Sequence, residues 1–67
     1  MLTNELLKRI NHIFAISRLY CEDGDFEKMD HERNKLKEMV RDGVIDQGIL
    51  DNFDVDMKYV YNQYHSL

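Results

Sequence analysis

The side chains best suited to chemistry in this chain are three histidines, His12, His31 and His65, and one cysteine, Cys21. Imidazole and thiolate are the common zinc ligands, and they also serve as bases and nucleophiles. A zinc site closes on near pairs such as C-x-x-C or H-x-x-x-H, and no two of these four residues stand at such a spacing. The histidines therefore read as solvated or half-buried, and no metal or other cofactor is expected. Cys21 lacks both a cation-rich neighbourhood and a C-x-x-C partner, the features that activate a thiol, so it reads as an inert, partly buried residue.

The aspartates Asp23 and Asp25, and further on Asp51, Asp54 and Asp56, raise the question of calcium. Neither group has the oxygen frame of an EF-hand loop, with its glycine at the sixth position. Aspartates at helix starts satisfy free N–H groups and oppose the positive end of the dipole, and capping is the use assigned here. Asp51 and Asp54 share a face and extend an acidic strip, which admits a DNA-mimic reading.

Tyr20, Tyr59, Tyr61 and Tyr64 are possible stacking platforms for single-stranded nucleic acid. Only Lys58 accompanies the last three, so the cationic groove that such binding needs is missing, and a protein interface or core edge is the better use of the rings. A helix-turn-helix reading rests on Lys28, Arg33, Lys35, Lys37 and Arg41, but these alternate with acids as on a solvated face. Nothing supplies a base, a nucleophile and an orienting group as a set, so the chain is expected not to be an enzyme.

These residues are carried by three predicted helices. Gly24 and Gly43 punctuate the chain, since glycine supplies the positive φ that ends a helix; Asp25 and Asp46 follow as N-caps of the next helices. The first helix is predicted from about Asn4 to Cys21. Leu6, Leu7, Ile10, Ile13, Phe14, Tyr20 and Cys21 make its three-four stripe, while Ile16 and Leu19 fall outside it and leave the second half apolar on more than one side.

The second helix, about Phe26 to Arg41, has a thin stripe of Phe26, Met29, Leu36, Met39 and Val40, interrupted near Glu32 and Arg33. Lys35 with Glu38, and Glu38 with Arg41, are its expected supporting pairs. The third, about Asp46 to Ser66, shows the a/d seam Leu50, Phe53, Met57, Val60, Tyr64 and Leu67, widened by Ile49 and Tyr61. A break at Gly48 would move its start to Asp51 or Asn52. The Lys37–Asp46 segment resembles the helix–Gly–β-branched–Asp corner of small bacterial helical hairpins; the resemblance implies a hairpin and nothing about activity.

A chain of 67 residues has room for one core. One that short buries only about 60% of its unfolded surface and gains from a staple or a partner. A disulfide is not available to Cys21 alone, and the unpaired thiol fits a reducing cytoplasm. The most apolar stretch, Ile10 to Cys21, is broken by Asn11, His12 and Arg18, so no membrane span or signal peptide is expected. Lys8, Arg9 and Arg18 against Glu5 leave residues 1–20 at +2, whereas residues 21–42 and 43–67 each carry −3, a gradient unsuited to binding phosphates.

The expectation is an all-α three-helix bundle over residues 1–67, with helices 2 and 3 as a hairpin packed on helix 1. It would act as a protein-interaction module, a bacterial or phage regulator or inhibitor that binds a partner protein or forms an oligomer such as a dimer. The expected interface is Ile13, Ile16, Leu19, Tyr20, Val60, Tyr61 and Tyr64. A small DNA-binding regulator and an acidic DNA mimic are the alternatives.

Overall fold

A computed structural model describes residues 3–65, and they form three α-helices: α1 (Asn4–Asp23), α2 (Phe26–Arg41) and α3 (Gln47–His65). Ser66 and Leu67, assigned from sequence to the end of the third helix and to its seam, lie outside the described residues.

Each boundary has a local cause. Thr3 starts α1 by accepting a hydrogen bond from the Leu6 amide at 3.1 Å, a cap that the sequence reading passed over. Helix α1 runs two residues beyond the predicted Cys21, because Gly24, at φ 75°, is the first left-handed position. Its amide donates to the Cys21 carbonyl at 3.2 Å, and the Asp25 amide donates to Tyr20 at 2.8 Å, the paired bonds of a Schellman stop. Gly43 ends α2 in the same way, with its amide on Val40 at 3.0 Å and the Val44 amide on Met39 at 2.8 Å.

Asp25 caps α2 through the Lys28 amide at 3.2 Å, as its position predicts. Asp46 stands just before α3, and its backbone carbonyl accepts from the Ile49 amide at 3.1 Å. Gly48 does not break the helix, which begins at Gln47.

Short connections turn α2 back along α1 and α3 back along α2, so α1 and α3 run in the same direction. Cross-links confirm the register: Phe14 meets Phe53, Arg18 meets Asp56, and Cys21 meets His65. The Cα trace measures 41 × 18 × 17 Å.

The core draws Ile10, Ile13 and Cys21 from α1, Leu36 and Met39 from α2, Ile45 from the second connection, and Leu50, Phe53 and Met57 from α3. Phe53 and Leu36 are wholly enclosed, and the Phe14 ring meets Phe53 edge-on at 5.3 Å. The gap in the α2 stripe is filled by Glu32, which is buried with its carboxylate 2.7 Å from the Lys35 ammonium. The local salt bridges of α2 among the described residues are Lys28 with Asp25, Lys35 with Glu32 and Arg41 with Asp42, in place of the two pairs expected with Glu38.

Candidate interaction surface

The chemically capable side chains are dispersed. His31 is exposed on α2, and His12 lies between Lys8, Arg9 and the Glu32–Lys35 pair where α1 meets α2. His65 closes the far end of the bundle: its Nε2 is 2.9 Å from the Cys21 carbonyl oxygen, and its ring stacks on Tyr61, which meets Phe26 in turn. Among the described residues no three His, Cys, Asp or Glu side chains gather as a metal-binding group. Burial, and then the nearby Asp56 carboxylate, push the Cys21 thiol above its ordinary pKa, which disfavours the reactive thiolate.

Much of the acidic strip is paired. Asp54 receives two bonds from the Arg33 guanidinium, at 2.7 and 2.8 Å, and Asp56 is 2.7 Å from Arg18. Asp51 accepts from the Gln47 side-chain amide at 3.0 Å. Arg33 holds the Asp54 carboxyl below the usual carboxylate range.

The seven residues expected at an interface do not form one face. Ile13 is 4% exposed and belongs to the core, because its place on α1 points between α2 and α3; it is removed from the surface set. Ile16 and Tyr20 are half-buried, and Tyr20 lies beneath the Lys28 ammonium, 5.9 Å from the ring centre. Val60 is half-buried against the core, and Tyr61 is held between Phe26 and His65. Leu19 and Tyr64 remain open, at 56% and 59% exposure, and Tyr61 is exposed at 38% beside its ring partners. The nearby Glu22 carboxylate raises the pKa of the Tyr64 phenol.

Exposed apolar side chains are distributed unevenly. Helix α2 exposes Phe26 at its first position, at 45%, and from Glu27 to Arg41 every exposed residue is polar or charged. In contrast, α1 exposes Leu7 and Leu19, and α3 exposes Val55 at 69% and Tyr59 at 62%. Between α1 and α3 runs an open groove of about 470 Å³, lined by Leu7, Ile10, Asn11, Phe14 and Arg18 on one side and Ile49 and Asn52 on the other. Leu7, expected in the buried stripe of α1, and Val55, given no role from sequence, are surface residues, and Tyr59 is an exposed member of the tyrosines expected at an interface or core edge. Val55 and Tyr59, four residues apart and off the a/d seam, were the available signal.

No helix of the described residues is long and apolar enough to cross a membrane. No protein-family model, curated protein or solved structure matches the chain.

Proposed function

We propose that this protein is a binding module without catalytic chemistry, a small regulator or inhibitor that lays the α1–α3 side of its bundle against a protein surface. The observation that carries the reading is the asymmetry of exposed apolar groups. Leu7, Leu19, Val55 and Tyr59 stand open on α1 and α3, while the outer face of α2 from Glu27 onward exposes only polar groups. Water tolerates scattered apolar residues, but four large ones on the two helices that flank an open groove, one of them, Leu7, lining it, support a contact surface there. The pairing of Asp54 with Arg33 and Asp56 with Arg18 weakens the DNA-mimic reading, because two of the needed charges are already engaged. A reducing cytoplasm, where the lone Cys21 stays a thiol, suits the module.

A photo-crosslinking residue placed at Val55, with a second placed at Asn34 on α2, tests the surface in cells. Protein adducts are expected from position 55 and not from position 34, and Leu19→Lys should abolish them while leaving helix content unchanged. Equal labelling from both positions, or adducts indifferent to Leu19→Lys, would remove the assignment.

A further inference from the structure

We infer that the occupant of the α1 side of this surface is a second copy of the chain, with the two α1 helices packed antiparallel about a two-fold axis at Ala15. The inference rests on the α1–α3 surface being the interaction face and names its partner.

Along the side of α1 turned away from the core, Lys8, Ala15 and Glu22 recur at intervals of seven residues. Seven residues are close to two helical turns, so the three lie nearly on one line. Lys8 and Ala15 are exposed and Glu22 is half-buried. The line is thus basic at one end, acidic at the other and small at its midpoint.

An isologous contact requires a patch that complements itself when rotated by half a turn. Rotation about Ala15 sets Lys8 of each copy opposite Glu22 of the other, so one operation makes two opposite-charge pairs. A parallel arrangement would instead set Lys8 against Lys8 and Glu22 against Glu22. Ala15 meets itself at the centre, where a side chain of one carbon lets the axes approach to the short end of the ~8–10 Å range of packed helices. Leu19 falls opposite Asn11, covering one of the most open apolar groups of α1. The rotation also carries exposed Leu7 toward the end of the second copy where Tyr64 and Glu22 meet. Lys8 to Glu22 spans about 21 Å of helix, and the charge pairs at its two ends make the dimer salt-sensitive.

Sedimentation equilibrium from micromolar to near-millimolar protein at low salt tests the pairing. Lys8→Glu gives a chain with Glu at both positions and Glu22→Lys one with Lys at both, so either variant alone should dimerise on the order of tenfold more weakly than the wild type. Mixed in equal amounts, the two should recover a heterodimer, and Lys8→Glu/Glu22→Lys in one chain should recover the homodimer; circular dichroism confirms that each variant keeps its helices. Recovery in the mixture supports the two-fold pairing. A wild type that is monomeric throughout, or a dimer indifferent to both reversals, overturns it. A monomeric wild type whose position 55 still crosslinks a different protein would overturn the pairing and leave the binding module standing. A recovered heterodimer with no adduct but its own second copy would do the reverse, removing the separate partner.

Discussion

The guanidinium of Arg33 and the carboxylate of Asp54 meet in a two-pronged ion pair that fastens the middle of α2 to the middle of α3. Both side chains are partly exposed, so solvent screening limits the pair to about 1 kcal/mol or less. Asp54 titrates lower in the folded protein than in the unfolded chain, where an aspartate carboxyl sits at about 3.9. Its contribution is therefore present above that value and is lost as pH falls through the lower folded pKa. Urea unfolding of the wild type and Asp54→Asn should differ at pH 7 and converge in strong acid. A difference that persists unchanged below pH 2 would mean that charge is not its origin.

Phe53 and Leu36 have no exposed surface, so truncating either leaves a cavity at the meeting point of the helices. Phe53→Ala is expected to cost roughly 3–5 kcal/mol and Leu36→Ala roughly 2–5. Domains of this class hold only about 5–15 kcal/mol in total, so both variants should be largely unfolded or loosely packed. Amide NMR dispersion checks this, and a sharp, well-spread spectrum for Phe53→Ala would contradict the described core.

The hydroxyl of Ser17 is fully buried and finds no hydrogen-bond partner among the described residues. A buried unsatisfied polar group costs about 1–3 kcal/mol, and alanine is also the better helix former. Ser17→Ala should leave stability unchanged or raise it, whereas Ser17→Leu should overpack the site. Thermal melts that show Ser17→Ala destabilised by more than about 1 kcal/mol would reveal a hidden partner for the hydroxyl.

The three glycines should respond in opposite directions. Gly24 and Gly43 have positive φ, 75° and 74°, where an L side chain costs about 1–2 kcal/mol, so alanine at either should destabilise. Gly48 lies in the first turn of α3 with open space around it, and Gly48→Ala should stabilise by up to about 1 kcal/mol. Denaturant midpoints for the three variants decide the matter; a destabilising Gly48→Ala would show that the start of α3 needs the glycine.

Cys21 is almost fully enclosed, its thiol pKa is raised, and its carbonyl is met by His65. Alkylation of the native protein should be slow and should accelerate with urea along the unfolding curve. His65→Ala removes the ring that closes this end of the bundle and should speed alkylation in the absence of urea. Identical rates in the two proteins would show that His65 does not guard the end.

Helix number, type and order were legible in the sequence because capping is local. Gly24 and Gly43 as stops and Asp25 as a cap act through bonds that span five residues or fewer. The seam of α3 was legible for the same reason through Leu50, Phe53 and Met57, since a helical period converts spacing directly into a buried face.

What the tertiary structure alone decided was which apolar side chains remain over once three stripes have met. Ile13 lies in the three-four stripe of α1 and Ile16 outside it, yet both are expected from sequence at an interface; Ile13 enters the core and Ile16 lies at its edge, because the angular position of α2 and α3 around α1 decides how much of the stripe is covered. The same placement paired Asp54 and Asp56 with Arg33 and Arg18, residues 21 and 38 positions away, and left Leu7, Val55 and Tyr59 open. Periodicity fixes each helix's own buried face, and the surplus surface is defined only when the other two helices have taken their share.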